Sequence, residues 1–309
     1  MTAQRASIET SYAHCRRLVR RSRSSFSPAF LLLSGAKRRG MEALYAFMRH
    51  TDDLADSPQP PAFRRAALVR WRAALDARLA CPGGTGEGGR FASAEEEHAA
   101  VSAILPAVAD TVERFAIPPQ LLHAVIDGVE MDLTQDRYAT MAELETYCER
   151  VASAVGLACI HVWGIRGEGA LEPARRCGLA VQLTNILRDL GEDAQRGRIY
   201  LPLEDLAACG YTPDDLFAGV VDRRFLRLVE HSCERAEGHY LEGSALHDFL
   251  YPDGQRVCGM MMDTYHRLLA KVRRHANEIF KRRLTLDWRS KAAVGLRWFL
   301  LPPRKAAVP

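Results

Sequence analysis

Polar residues recur at helical spacing inside otherwise apolar stretches at two places in this chain. In VQLTNILRDLGEDAQRGRIYLP, Val181 to Pro202, the residues Gln182, Asn185, Asp189 and Asp193 stand three, four and four apart. That spacing puts them on one stripe of an α-helix. Leu183, Ile186, Leu187 and Leu190 fill the remaining positions with apolar bulk. A surface helix turns its polar stripe to water; one hemmed in by apolar residues predicts a stripe facing a lined interior. The second stripe is Tyr45, Arg49, Asp52 and Asp56, at spacings of four, three and four in ALYAFMRHTDDLAD.

The same periodicity predicts helices along most of the chain. They run over Ser11–Arg21, Gly40–Asp56, Phe63–Leu79, Glu95–Phe115 with an interruption near Pro106, and Pro119–Leu133. Further helices run over Met141–Gly164, Pro173–Asp193, Asp222–Tyr240 and Gly254–Phe280. The prolines after Ser57 end the first stripe's helix. No alternating β-rich stretch and no internal repeat is evident, so the chain reads as all-α. Cys81–Arg90, CPGGTGEGGR, is glycine-rich but lacks the ending of a phosphate-binding P-loop, and is read as a surface loop.

Two carboxylates four apart on each of two helices suit a cluster of hard cations. Magnesium takes oxygen ligands, keeps several waters and shares its remaining positions with substrate phosphates. Two such helices facing each other would hold a diphosphate through bridging metals. Aspartates at this spacing also occur on solvated helices. Two pairs, each with an amide or Arg on its stripe and apolar surroundings, are the rarer case.

These residues carry a resemblance. QLTNILRDLGEDAQRGRIYLP resembles the second aspartate-rich motif of the squalene/phytoene synthase family, and YAFMRHTDDLAD resembles the first. DGVEMDLTQDRY, YCERVASAVGL and SRSSFSPAFLLL are similar to three further family blocks, and the likeness runs from about Tyr12 to Leu296. It implies a single-domain helical bundle of the isoprenoid-synthase type with a central cavity. Residues 1–10 are then a loose tail, 11–296 the family-like domain and 297–309 a C-terminal tail. It also implies head-to-head joining of two allylic isoprenoid diphosphates. Asp52, Asp56, Asp189 and Asp193 become Mg²⁺ ligands with Asn185 beside them, and Gln182 lies on the same substrate-facing stripe. Arg49 pairs with phosphate, while Tyr45, Tyr147 and Phe26 shield the carbocation. Ser25 and Phe26 lie in a flap over the substrate. Arg198 and Tyr200 either close on diphosphate or anchor their loop, and Tyr265 either reaches the cavity or sits in the core.

Substrate length is the open choice. VIDGVEMDL and CERVASAVG look more like presqualene diphosphate synthases, which favours two farnesyl diphosphates. Two geranylgeranyl diphosphates giving phytoene is the alternative. NADPH use and downstream squalene- or carotenoid-pathway enzymes as partners depend on that choice. Some relatives are non-catalytic assembly factors that have lost the aspartates; all four are present here.

Composition narrows the setting. Of 309 residues, 48% are hydrophobic and 26% charged, enough apolar material for a large core. A net charge of +4 gives no argument for nucleic acid. The eight cysteines form no C-x-x-C pair and suit a reducing cytoplasm. The N-terminal region has no apolar run of signal-peptide length, and no stretch is long enough to span a bilayer. From Lys271 to Pro309 there are eleven Lys or Arg against two acidic residues, with Trp288, Trp298 and Phe299 among them. That mixture reads either as a peripheral contact with the inner membrane surface or as a solvated face over buried aromatics. Arg16, Arg17, Arg20 and Arg21 form a basic helical face, solvated or partly turned to a diphosphate. The small residues Ala152, Ser153, Ala154, Gly156 and Ala158 serve either close helix packing or an isoprenoid tail. Asp127, Glu130 and Asp132 gather at a helix C-terminus, where the macrodipole disfavours them; Arg137 is a candidate partner.

Overall fold

The structure, a computed structural model, describes residues 2–22, 26–81, 95–167 and 169–303. Among the described residues it is helical throughout, with isolated bridges Arg137–Ile199 and Ile165–Leu250 the nearest approach to a strand. The helices are α1 (Thr2–Ser22), α2 (Gly35–Asp56), α3 (Pro61–Ala80), α4 (Glu95–Arg114), α5 (Pro119–Met131), α6 (Met141–Cys148) and α7 (Ala154–Trp163). There follow α8 (Leu171–Gln195), α9 (Leu203–Ala208), α10 (Pro213–Phe217), α11 (Arg223–Gly243), α12 (Leu246–Phe249), α13 (Pro252–Arg274) and α14 (Trp288–Leu300). The chain divides into two compact units, Met1–Leu133 with Ala158–Gly164, and Thr134–Leu157 with Ile165–Pro309.

In the first unit α2 is the central piece. Leu44, Phe47, Thr51 and Ala55 form its buried stripe. Phe47 stacks on Trp71 of α3 at 5.6 Å, and Trp71 Nε1 donates to Thr51 Oγ1 at 2.9 Å. Docking that stripe leaves Tyr45, Arg49, Asp52 and Asp56 on another side of the helix. The helix ends at Asp56 because Ser57 turns to extended backbone ahead of Pro58 and Pro60. Arg64 Nη1 donates to Ala55 O at 2.7 Å, satisfying one of the orphan carbonyls of the last turn.

α1 begins at Thr2, well before Ser11, where periodicity places its start. α4 runs unbroken through Pro106. A proline opens the helix ladder around it, and here a hydroxyl from α1 enters the gap. Ser11 Oγ donates to Ala103 O at 2.8 Å and accepts from Ala107 N at 3.0 Å. The predicted break is therefore repaired from outside the helix. The acidic end of α5 is answered by α3: Arg72 pairs with Asp127, and Arg65 lies 3.5 Å from Glu130. Arg137 instead donates to the Gly197 and Asp136 carbonyls.

In the second unit α8 packs by close approach. A Cβ on Gly178 would lie 2.6 Å from Ser153 Cα, and one on Gly191 would lie 2.6 Å from Ile279 O. The stretch expected as one helix over Met141–Gly164 is interrupted by a π-helical turn, Glu149–Ser153, and Gly178 abuts that turn. Gly156 also faces the Ala174 carbonyl, 3.2 Å from an added Cβ. Ser153 and Gly156 are thus small for close helix packing.

Candidate functional site

The acidic ends of both predicted stripes lie toward the C-termini of their helices. Asp52, Asp53 and Asp56 close α2; Asp189, Glu192 and Asp193 close α8. Neither helix has a basic residue in its last turn. The C-terminal carbonyls already make that end negative, so carboxylates there call for cations from elsewhere.

On α2, Asp52 and Asp56 are solvent-accessible and Tyr45 is half-buried. Accessibility does not leave Asp52 in a water-like setting. Desolvation by the surrounding protein, with the charges of Asp56, Asp132 and Asp53, pushes its carboxyl up to about 7 against the pull of Arg49. Arg49 is held on its own helix, its Nη2 2.7 Å from Asp53 Oδ1. The Tyr45 ring meets Phe30 edge-on at 6.3 Å. Phe26 is half-buried, at the start of the 3₁₀ turn Ser27–Leu32, and Ser25 lies outside the described residues. Arg16 and Arg20 line a recess of about 540 Å³ with Phe30, Leu31, Arg38 and Glu42, and Arg16 lies 3.5 Å from Glu42.

On α8, Gln182, Asn185, Asp189 and Asp193 are all half-buried. Asn185 Nδ2 donates to Gln182 Oε1 at 3.3 Å, while Asn185 Oδ1 is buried with no hydrogen-bond partner. A buried amide oxygen left without a donor has lone pairs free for a hydrogen bond or a hard cation. Asp189 is more fully engaged. Arg283 Nε donates to its Oδ1 at 2.8 Å, and Arg188 grips the same carboxylate. Burial pushes the Asp189 carboxyl up, but the Arg188 and Arg283 guanidinium groups outweigh it and hold it below the usual carboxylate range. Arg188 also hydrogen-bonds Tyr265, whose buried hydroxyl is pushed up by desolvation. Neither Arg188 nor Arg283 was signalled by stripe spacing. Arg188 is off the stripe, and Arg283 is distant in sequence.

Past α8, Gly197 takes φ of 76°, which favours glycine, and turns the chain back. Arg198 N then donates to Asp193 O at 2.9 Å, anchoring the loop to the helix end. Ile199 N donates to Asp136 O at 3.0 Å and brings Tyr200 beside Tyr138 and Tyr147. The three rings stack or tilt with centroids 5.3–5.9 Å apart. Tyr147 and Tyr200 thus meet, with Tyr138 as the member that sequence reasoning missed.

The donors offered to a metal are oxygens: Asp52 and Asp56 on one stripe, Asn185, Asp189 and Asp193 on the other. Among the described residues no three carboxylate, His or Cys side chains converge as a ready-made metal site. Oxygen-only ligands in pairs, without an all-protein cage, fit magnesium, which binds through one or two carboxylates plus water and phosphate.

A family model described as squalene/phytoene synthase matches residues 19–290. The chain is 34% identical over 297 residues to the 15-cis-phytoene synthase of Synechococcus elongatus, covering 92% of this chain and 91% of the relative. It is 35% identical over 227 residues to the presqualene diphosphate synthase of Sinorhizobium fredii, covering 72% and 74%. The squalene synthase HpnC from Alicyclobacillus acidocaldarius superposes with a TM-score of 0.77 at 25% identity, over 90% of this chain and 97% of that one. Several further relatives are phytoene synthases, so the relatives support the geranylgeranyl alternative better than the farnesyl choice favoured by the sequence segments.

Proposed function

Because this chain belongs to the squalene/phytoene synthase family, a family of prenyltransferases, we propose that it joins two geranylgeranyl diphosphates head to head to give phytoene. The observation that carries the reading is the pair of oxygen-only stripes at two helix C-termini, one of them with a buried, unpartnered Asn185 Oδ1. Asp52, Asp56, Asn185, Asp189 and Asp193 would hold Mg²⁺, which when bound neutralises charge on a departing diphosphate. Arg49 is a fork-shaped donor suited to a phosphate oxygen once it leaves Asp53. Arg188 and Arg283 keep Asp189 ionised and so ready for a cation. Loss of diphosphate leaves an allylic carbocation, which needs a dry, electron-rich wall. The aromatic faces of Tyr45, Phe26, Tyr147 and Tyr200 are suited to it. The double bond of the second substrate then attacks, and the released diphosphate takes the proton lost as a cyclopropyl ring closes; departure of the second diphosphate, rearrangement of the cation and loss of a further proton to diphosphate would give phytoene.

The test is to incubate the protein with Mg²⁺ and either geranylgeranyl or farnesyl diphosphate, with and without NADPH, and identify the extracted lipids. Phytoene from the C20 substrate is expected, and Asp193→Ala should lower turnover by at least about 100-fold while the fold is kept. The presqualene diphosphate synthase relative supports a second reading, in which farnesyl diphosphate is used. Presqualene diphosphate, or squalene when NADPH is present, would establish it. No product from either substrate would favour a non-catalytic role.

A further inference from the structure

α14 carries two apolar stripes, and the second unit uses only one. Val294 and Trp298, four apart, are each 1% exposed. Trp298 lies against Gly259 of α13, its Nε1 donates to Asp263 Oδ2 at 3.2 Å, and Arg256 Nη1 donates to its carbonyl at 2.6 Å. The helix is therefore firmly docked. The other stripe runs Trp288, Ala292, Leu296, Phe299 at spacings of four, four and three. Trp288 is 73% exposed, Leu296 63% and Phe299 44%, and Leu300 and Leu301 extend the surface. A single exposed leucine is ordinary, but an ordered row of large apolar side chains on one helix face marks a contact surface.

The charge around the row selects the occupant. Arg289 lies beside the Trp288 ring at 5.6 Å, and Lys291 and Arg297 stand on the same helix. Arg273, Arg282 and Arg283 are taken up by Glu230, Glu278 and Asp189, but α14 itself has no acidic residue. Two copies of such a face would bring like charges together. An anionic bilayer surface complements both features, since aromatic and leucine side chains enter the acyl boundary while Lys and Arg meet the headgroups. α14 has 13 residues and is about 20 Å long, and no helix among the described residues is long and apolar enough to cross a membrane. Its geometry suits lying in the interface plane.

We propose that the Trp288–Leu301 face of α14 seats the protein on an anionic lipid surface, with Trp288, Leu296 and Phe299 inserted and Arg289, Lys291 and Arg297 at headgroup level. The proposal stands on the helix and not on the reaction, so it survives failure of the functional assignment.

The test is co-sedimentation of the full chain with vesicles of phosphatidylglycerol and phosphatidylcholine in equal parts, against phosphatidylcholine alone, at low and high salt. Binding to the anionic vesicles that weakens with salt is expected. A variant combining Trp288→Ser, Leu296→Ser and Phe299→Ser should bind at least about tenfold more weakly. Its thermal melt and sedimentation in the absence of lipid should match the parent. As a second readout, brominated lipid should quench part of the parent's tryptophan emission, and Trp288→Phe should remove that part. Absence of binding to anionic vesicles, undiminished binding by the triple variant, or a lipid-free dimer that the triple variant dissolves would each overturn the proposal.

Discussion

Desolvation by the surrounding protein, with the like charges of Asp56, Asp132 and Asp53, raises the folded-state carboxyl of Asp52 from 3.8 to about 7. The sign of its effect on stability follows. Between those two values the folded protein keeps a proton that the unfolded chain has released, so stability falls as pH rises through that window. Below it both states are protonated and nothing is lost. Asp52→Asn stays neutral throughout. It should therefore match the parent's melt near pH 3.5 and exceed its stability at pH 8. Solvent access at this carboxyl screens the effect to about 1 kcal/mol. Equal melts at pH 8 would show that the folded protein does not disfavour the charged carboxylate here. Ser11 poses a different residue-scale question. Its hydroxyl, 1% exposed as a residue, bridges Ala103 O and Ala107 N in the ladder that Pro106 opens. Ser11→Ala leaves both groups buried without that partner and should cost about 1–3 kcal/mol by denaturant titration. Ser11 was invisible in the sequence because its task is set by a proline more than ninety positions away. Arg283 was invisible for the same reason: its partner Asp189 is 94 residues distant.

At the scale of elements, periodicity was a good guide wherever one helix face alone decides the packing. α2 shows this: the buried stripe Leu44, Phe47, Thr51 and Ala55 and the acidic stripe beside it can both be read from the spacing. It failed where two backbones touch. The π turn at Glu149–Ser153 leaves no mark in hydrophobic periodicity, because Ala154–Trp163 after it is apolar nearly all round the helix and has no polar face whose rotation could show. The signal that could have found it is Gly178, a glycine mid-helix with no turn to make. An added Cβ there would sit 2.6 Å from Ser153 Cα, a backbone atom with little room to give. Gly178→Ala should destabilise the protein by about 1–3 kcal/mol beyond any gain in helix propensity. Gly259 makes a parallel case on α13, where the added Cβ would lie 2.0 Å from the Trp298 ring. The ring is held by Asp263 and its carbonyl by Arg256, so α14 must shift as a body. Gly259→Ala should alter the near-ultraviolet circular dichroism of Trp298 and expose the α13–α14 connection to protease. An unchanged tryptophan signal would mean that the ring finds room elsewhere.

For the molecule as a whole, the proposed function draws on two acidic helix ends, one in each unit, and the charge at each yields the last prediction. The α2 end carries three aspartates, with Arg49 drawn onto Asp53. The α8 end has Asp189 held by two arginines and Asn185 Oδ1 left without a donor. Inorganic diphosphate alone brings negative charge to carboxylates and should bind poorly. Mg²⁺ alone meets paired carboxylates with no third carboxylate, His or Cys beside them, since no cluster of three such groups forms among the described residues. Together each supplies what the other lacks, because the metal takes oxygens from both protein and phosphate. The two should therefore stabilise the protein jointly and not additively. At ligand concentrations around 100 times the joint dissociation constant, the melting temperature should rise by roughly 5 °C, with little change for either alone and full reversal by chelator. Asn185→Ala should diminish the joint shift while leaving the ligand-free melt close to the parent's, because the amide oxygen has no protein partner and the amide nitrogen loses only a 3.3 Å bond to Gln182 on the same helix. An equal shift from diphosphate without metal would place its binding on the arginines instead, and would remove the case for Asp52, Asp56, Asp189 and Asp193 as metal ligands.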